Sequence, residues 1–369
     1  MKGDLLISTS ASLGRVSVVD SDSVGSIAYT GIIRFRSGSD RLHHEYLRAY
    51  LSSKFFIDQA ERMATGSVIR HFGPSHLRQM AITLPSIPEQ IEIAEINDAI
   101  DECIRSLHET NKTLEAMAQA IFKSWFVDFD PVNAKMEGRV PDGMDAATAA
   151  LFPDSFEESE LGLIPKGWII KTIGDAIKVV GGATPDTKNL SYWEPAVHCW
   201  TTPKDLSGIP SPVILDTERK LSNKGISNIG SGLLPSGTLL LSSRAPIGYL
   251  AITQVPMGIN QGYIAMPPGG LLSPLYMLFW CRQNMDIIKG RSNGSTFMEI
   301  SKKAFKPILS VIPNTDVLSV FDKTVGSLFE LLVEGEKEAQ ALSTLRDTLL
   351  PRLISGQLRI SESPEELQN

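Results

Sequence analysis

The sequence contains one short stretch twice, and this repeat limits the possible folds more than any other feature. GDLLISTSASLG at Gly3–Gly14 returns as GTLLLSSRAPIG at Gly237–Gly248, with six of twelve positions identical. Each copy holds an aliphatic run bounded by glycine, which is typical of a β-strand followed by a turn. The repeat indicates that one structural unit occurs twice in the chain.

The repeat continues beyond this stretch. TGSVIRHFGPSHLRQMAITLP (Thr65–Pro85) aligns with NGSTFMEISKKAFKPILSVIP (Asn293–Pro313), where apolar positions are kept better than the letters. The same spacing continues into the next segments and pairs Leu114 with Leu342. Each unit is therefore predicted to be a β-rich globular part followed by a long helix, which is an α+β fold.

The segments after the globular parts have the apolar spacing of long helices. Apolar residues recur three and four apart, as in a heptad seam. No proline occurs between Pro88 and Pro131, so about 38 residues could form the first helix, whereas Gly335 and Pro351 interrupt the second. The predicted seam residues are Ile96, Ile100, Cys103, Leu107, Leu114, Met117 and Ile121 in the first helix and Leu328, Leu342 and Leu349 in the second. The two seams either pack on each other, or each helix belongs to the core of its own domain.

These features predict a division of the chain into six parts. The parts are a first globular domain (1–88), a first helix (89–130), a linker (131–160), a second globular domain (161–313), a second helix (314–355) and a tail (356–369). The linker prediction rests on prolines and a run of acidic residues. Because Leu161–Leu234 have no counterpart before the first copy of the repeat, the first domain is predicted to be incomplete.

Composition excludes several classes of protein. Hydrophobic residues make up 42% and charged residues 21% of 369, as in a soluble protein of two or three domains. Cys103, Cys199 and Cys281 are far apart, which argues against a zinc site and favours a reducing compartment. No apolar run has the length of a signal peptide or membrane span, so a cytoplasmic protein without a membrane partner is predicted. The net charge of −7 disfavours indiscriminate nucleic-acid coating but allows a local basic surface.

The motifs that usually carry catalysis are absent from the sequence. GSGLLP (Gly230–Pro235) ends in proline where a phosphate loop opens a helix, and no GxxxxGK[ST] occurs. NQGY (Asn260–Tyr263) has only a faint similarity to the Asn-Pro-Pro-Tyr loop of amino-methyltransferases, since it lacks both prolines. His43 and His44 are adjacent and do not share a face, so no metal site is expected. The chain is predicted to be non-catalytic and to bind no cofactor or metal; an enzyme with an unrecognised site is the weaker alternative.

Two windows at equivalent places in the repeat are locally basic. Lys289–Lys306 holds five cations and one acid, and Arg62–Arg78 holds three arginines, two histidines and no acid. Cations can neutralise DNA phosphates, and small polar side chains can reach phosphates or base edges. The candidate DNA-binding residues are Arg70, His71, Arg78, Arg244, Arg291, Ser292, Asn293, Ser295, Thr296, Lys302 and Lys303. The alternative is a solvated helix face that binds nothing.

Several longer segments resemble those of one known family. WFVDFDPVNAKMEGRVPDGMDAATAALFPDSFEESELGLIPKGW is similar to the central spacer of the specificity (S) subunit of type I restriction–modification enzymes. LPSIPEQ, SSRAPIGYLAI and LRDTLLPRLISGQLRI are similar to further motifs of that family, so the resemblance spans nearly the whole chain. It implies two target-recognition domains, each reading half of a split double-stranded DNA site. It also implies two long antiparallel coiled-coil helices that separate these domains.

The resemblance further implies the partners. The helices would dock two methyltransferase (M) subunits, and restriction (R) subunits would join through them. AdoMet, ATP and Mg would be bound by those partners and not by this chain. A complete family member begins its first domain with a segment like IPKGWIIKTIGDAIKVVGGATP, which the first unit does not show. The alternative is an S fragment that serves only as a scaffold for M subunits.

Overall fold

The computed structural model describes residues 1–9, 14–27, 29–36, 38–64, 71–294 and 298–359. The chain forms two compact units. Unit 1 consists of Met1–Leu107 and Glu338–Asn369, and unit 2 consists of His108–Lys337. Two helices of 40 residues, Ile87–Phe126 and Thr315–Ile354, each contribute one part to unit 1 and one part to unit 2.

Unit 1 combines a small antiparallel sheet with short helices. Its elements are β1 (Leu5–Ser8), β2 (Val16–Val18), β3 (Ile32–Phe35), α1 (His44–Ser52), α2 (Lys54–Met63), α3 (Pro74–Leu77) and the first part of the long helix α4 (Ile87–Phe126). The strand order is β2-β1-β3. Because side chains alternate along a strand, Leu5 and Ile7 of β1 share one face, and both are fully buried in a core with Tyr46 and Phe56.

Unit 2 is larger and contains several sheets. After α4 its elements are α5 (Asp130–Met136), α6 (Ala146–Ala150), β4 (Phe156–Ser159), β5 (Gly162–Pro165), β6 (Ile169–Thr172), α7 (Ile173–Ala176), β7 (His198–Thr201), β8 (Val213–Ile214), β9 (Lys220–Leu221), α8 (Asn223–Asn228), β10 (Leu239–Ser242), β11 (Leu250–Thr253), β12 (Met257–Ile259), β13 (Tyr263–Met266), α9 (Pro274–Gln283), α10 (Met285–Gly290), α11 (Lys302–Phe305), β14 (Leu309–Ile312) and α12 (Thr315–Ile354). The sheets have the orders β13-β10-β11-β8, β12-β7-β9, β14-β6 and β4-β5.

The repeat in the sequence is confirmed as a repeat of structure. Strand β1 pairs with β2 in the register in which β10 pairs with β11, because Leu5 lies opposite Val18 and Leu239 lies opposite Ile252. The third strand of each set, β3 or β13, joins the other side of the repeated strand. Helices α3 and α11 also begin and end at equivalent residues of the alignment. The observed architecture is therefore a mixed helix and sheet fold in which one structural unit occurs twice.

The two copies of the repeated strand differ in how they are covered. In unit 2, Leu239 and Leu241 enter one core cluster and Leu240 enters a second cluster on the opposite face, so β10 is buried throughout. In unit 1, Leu6 is equivalent to Leu240 and is only half-buried. The second cluster of unit 2 includes Leu206 and other residues before β10, a part of the chain with no aligned counterpart in unit 1.

The long helices run antiparallel within each unit. In unit 1 the Arg346 guanidinium lies 2.7 Å from the Asp101 carboxylate. In unit 2 the Asn111 amide donates to Glu336 at 3.4 Å, and the rings of Phe122 and Phe321 lie 6.0 Å apart. Higher numbers on α4 therefore meet lower numbers on α12. The possibility that each helix belongs only to its own domain is wrong, since each unit contains parts of both helices.

The predicted seam is partly wrong in register. Ile96, Ile100, Leu107, Leu114, Ile121, Leu328, Leu342 and Leu349 are all half-buried. Cys103 is exposed, and Met117 is 49% exposed. Asn111, Ala118 and Phe122 are buried on α4 instead. Counting only apolar letters misses a buried polar residue such as Asn111, and the count then places the next turns on the wrong side of the helix.

The segment 131–160, predicted to be a linker, belongs to the core of unit 2. Val132 of α5 is fully buried, and the Phe152 ring lies 5.3 Å from the ring of Trp125. Strand β4 then forms a hairpin with β5. The prolines misled the prediction because Pro131 lies in the first turn of α5, where a missing N–H costs nothing.

Helix α9 begins at a polar contact with α12, and this contact predicts a pH effect. Ser273 accepts the Tyr276 N–H at 2.9 Å and donates its hydroxyl to Asp322 at 2.6 Å. Burial raises the pKa of the Asp322 carboxyl above its ordinary value, despite the opposing effect of the Ser273 hydrogen bond. A raised folded-state pKa contributes stability in acid that is lost as the pH rises through that pKa.

We therefore expect Asp322→Asn to stabilise unit 2 at neutral pH by about 1 kcal/mol, because asparagine accepts the same hydrogen bond without a buried charge. The difference should shrink as the pH falls through the raised pKa of Asp322, because the wild-type carboxyl then takes up a proton and loses its buried charge. Urea unfolding of both chains between pH 4 and 8 measures this. A difference that does not change with pH would contradict the assignment. Asp316→Asn, in the exposed first turn of α12, is the control.

Candidate nucleic-acid interface

The turn between β10 and β11 positions Arg244. The Ser242 hydroxyl accepts the N–H groups of Gly248 and Tyr249, at 3.1 and 2.8 Å, and donates to the Pro246 carbonyl at 2.7 Å. These three bonds close the turn on itself, and the buried strand β10 anchors its start. Arg244 therefore projects from a fixed turn, half-exposed to solvent.

Arg244 is held by a weak ion pair. Its guanidinium lies 3.7 Å from the Glu299 carboxylate, and the two side chains are 38% and 48% exposed. Solvent screens such a pair, so it is worth less than about 1 kcal/mol. Asn293 and Arg244 both form β-bridges with Glu299, which brings these two predicted site residues to one acidic neighbour. The pair with Glu299 therefore leaves the Arg244 guanidinium accessible to solvent and to other anions.

The Arg244 turn separates two surface depressions. One depression is lined by Arg244, Ala245, Pro246, Ile247, Lys289, Met298 and Glu299. The other is lined by Thr202, Pro203, Lys204, Ser207, Arg244, Ala245, Tyr249, Asn260 and Gly262. We call the surface defined by Lys204, Arg244, Asn260 and Lys289 the cationic face. Among the described lining residues, its three cations and one amide face one carboxylate, that of Glu299.

Gly182, in the GGATP loop (Gly181–Pro185), lets that loop pack closely against the loop that carries Asn260. A Cβ on Gly182 would lie 2.0 Å from the Ile259 carbonyl oxygen and 2.5 Å from that of Asn260, so only glycine fits there. The neighbouring Ala183 N–H donates to the Ile259 carbonyl at 3.0 Å. Thr184 then donates its hydroxyl to Gln261 at 2.7 Å. The GGATP loop thereby fixes the loop that carries Asn260.

The other predicted residues of unit 2 lie at several places. Arg291, Lys302 and Lys303 are exposed. Ser292 is half-buried and donates its hydroxyl to the Lys289 carbonyl at 2.6 Å, so it caps the end of α10. The Lys302 amine lies over Gly181, the position where an added Cβ would be 2.8 Å from Nζ. Ser295 and Thr296 lie outside the described residues.

Unit 1 presents a different set of side chains. His71 is exposed, and its Nδ1 lies 3.0 Å from the Thr9 carbonyl oxygen. Arg78 ends α3 and is exposed. Pro74 and Ser75 are equivalent to Lys302 and Lys303, so unit 1 lacks both lysines of this pair. Arg70 lies outside the described residues.

Reasoning from the sequence missed Lys204, Tyr249, Asn260 and Gln261. Lys204 and Asn260 are 56 positions apart in the chain and meet only through the packing of β7 and β12. The NQGY motif contains Asn260 and Gln261, but its faint similarity to a methyltransferase loop does not predict a DNA contact. Tyr263 of that motif is buried 3.0 Å from the Thr201 hydroxyl, and burial raises the pKa of its phenol. Tyr263 is therefore a neutral structural group.

Within the described residues, no group of three or more His, Cys, Asp or Glu side chains could hold a metal ion. Among helices in that part of the chain, none combines the length and apolarity needed to cross a membrane.

The model of the family described as the type I restriction modification DNA specificity domain matches residues 1–116 and 165–324. The chain belongs to this family. The two matched stretches fall on the two copies of the repeated unit.

Three similar proteins illustrate the relationship. The type I restriction enzyme MjaIX specificity subunit of Methanocaldococcus jannaschii is 38% identical over 185 residues, which are 50% of this chain and 42% of that protein. The type I restriction enzyme HindI specificity subunit of Haemophilus influenzae is 25% identical over 97% of this chain and 87% of that protein. The crystal structure of a type I restriction-modification S subunit from M. genitalium has a TM-score of 0.50 and 18% identity, and covers 96% of this chain and 83% of that chain. The last likeness shows the fold.

Proposed function

We propose that this chain is the sequence-specific DNA recognition subunit of a type I restriction–modification complex. The cationic face is the main support for this proposal. Arg244 lies between Lys204 and Lys289 on this face, in a chain whose net charge is −7. Cations concentrated on one surface of an acidic chain attract the DNA backbone to that surface.

The side chains of the cationic face suit two tasks. Lys204 and Lys289 carry point charges that neutralise phosphates. Arg244 has a planar guanidinium and Asn260 has an amide, and these groups form paired hydrogen bonds with guanine and adenine in the major groove. Phosphate contacts position a protein on DNA, and base contacts select the sequence. The face therefore combines binding with selection.

The partners and the domain roles belong to the same proposal. Residues 1–88 and 161–313 would be the recognition domains, and the long helices would dock two M subunits through exposed positions such as Met117. R subunits would join through M, in the cytoplasm, and the catalytic chemistry with AdoMet, ATP and Mg would reside on the partners. Chain and M subunits mixed with a randomised duplex library test this: selection of a defined split sequence supports it, and selection of none contradicts it.

The lysine pair of α11 provides a narrower prediction. Replacing Lys302 and Lys303 together by alanine should weaken binding to all DNA sequences and lower the log–log salt slope by about 2, because each phosphate contact releases about one counterion. Titrations between 50 and 300 mM salt measure the slope. Lys323→Ala, on the exposed side of α12, is the control. An unchanged slope in the double variant would show that α11 does not contact the backbone.

A further inference from the structure

The segment 81–84 of unit 1 has backbone hydrogen bonds on one side only. The Tyr46 hydroxyl donates to the Thr83 carbonyl at 2.8 Å, and the Tyr50 hydroxyl donates to the Ala81 carbonyl at 2.5 Å. The Gln59 amide also accepts the Ala81 N–H at 3.3 Å. Backbone groups of alternate residues point to the same side of an extended chain. The side that carries the groups of Ala81 and Thr83 therefore faces α1 and α2.

The other side of this segment is open. Within the described residues, the backbone groups of Ile82 and Leu84 make no hydrogen bond. The Ile82 side chain packs against the core of unit 1, whereas the Leu84 side chain is 40% exposed. Free backbone groups beside an exposed aliphatic side chain form a template for strand addition.

The internal repeat shows what such an edge accepts. Segment 81–84 is equivalent to β14, and β14 pairs antiparallel with β6, with Ser310 opposite Lys171 and Ile312 opposite Ile169. The next pair in the same register is Ile173 with Ile308, where the Ile173 N–H donates to the Ile308 carbonyl at 2.8 Å. Bonded pairs alternate along an antiparallel ladder.

The pairs at Ser310 and Ile312 are therefore the bonded ones. These two residues are the equivalents of Ile82 and Leu84, the residues whose backbone groups are open in unit 1. The covered edge also buries its aliphatic side chain, because Ile312 is 4% exposed and Leu84 is 40% exposed. The two copies thus agree in which backbone groups are available and differ in whether a strand is bound.

We propose that the 81–84 edge of unit 1 binds an extended strand from another polypeptide, antiparallel and in the register of β6 on β14. The partner segment carries the chemistry of Ile169–Thr172: two β-branched residues, then a cation and a threonine, with free N–H groups at alternate positions. A second copy of this chain is not the expected donor, because its β6 is already paired with its own β14. This proposal does not depend on DNA binding.

A synthetic peptide of the sequence 165–176 tests the proposal on the full-length chain. Hydrogen–deuterium exchange of a fragment that spans 80–86 should slow at least tenfold at saturating peptide for the amides of Ile82 and Leu84. The matched controls are two N-methylated peptides. Methylation at Lys171 removes a bonding N–H and should abolish protection, whereas methylation at Ile170 removes an N–H that points away and should preserve it.

Every other result overturns the proposal. Equal protection by both methylated peptides would indicate apolar adhesion without strand pairing. Protection without peptide that rises with protein concentration would identify a second copy as the occupant. Protection without peptide at all concentrations would show that the chain covers the edge itself, and absence of protection with the unmodified peptide would show that the edge binds no strand.

Discussion

Replacing Phe122 with alanine is expected to destabilise unit 2 by about 3–5 kcal/mol, the range for truncating a buried aromatic side chain. Phe122 is 1% exposed and lies at the centre of a ring cluster. Its ring is 5.1 Å from Tyr276, 5.3 Å from Phe126 and 6.0 Å from Phe321. Alanine would remove the ring that joins α4 to both α9 and α12.

Tryptophan fluorescence during urea unfolding measures this effect in unit 2 alone. All five tryptophans of the chain, from Trp125 to Trp280, belong to that unit. The control is Met117→Ala on the same helix, where the side chain is 49% exposed and the expected change is less than about 1 kcal/mol. A larger cost at Met117 than at Phe122 would restore the register predicted from apolar spacing and contradict the structure.

Gly182→Ala is expected to cost about 3 kcal/mol, at the upper end of the usual range for overpacking. The added methyl group would overlap two backbone carbonyls, those of Ile259 and Asn260, which cannot rotate away as a flexible side chain can. The loop that carries Asn260 must move to make room. DNA affinity should therefore fall together with stability.

The control for this substitution is Gly230→Ala. Nothing lies within 4 Å of a Cβ built on Gly230, and its backbone is outside the left-handed region. Its substitution should change stability by less than about 0.5 kcal/mol. Urea unfolding and DNA titration of both variants distinguish the two sites. Wild-type behaviour of Gly182→Ala in both measurements would show that the GGATP loop does not support the cationic face.

The repeat and the long helices could be predicted from the sequence because each depends on a local pattern of residues. A twelve-residue match was enough to predict two copies of one strand and turn, since glycine boundaries and an aliphatic run specify that geometry with few alternatives. The absence of proline between Pro88 and Pro131 was enough to predict a long helix. The structure places that helix at Ile87–Phe126.

The register of the helix seam could not be predicted from the same pattern. Asn111 is buried because its amide meets Glu336, and Glu336 in turn accepts the Ser211 hydroxyl at 2.8 Å. A buried polar residue is tolerated only when a partner satisfies it. Glu336, which accepts from Asn111, is 225 positions away in the chain, so no local count can reveal this contact.

The two-unit organisation, the long helices, the family resemblance and the basic window Lys289–Lys306 were all predictable from the order of the residues alone. Local propensity, periodicity and charge are properties of neighbouring residues, so they can be recognised in the sequence without the structure. Two features became visible only in the folded chain: Lys204 and Asn260 lie beside Arg244 on one surface, and the edge that β6 covers in unit 2 is open in unit 1. Such features depend on which distant segments pack together, and packing is settled by burial and hydrogen bonding across the whole chain.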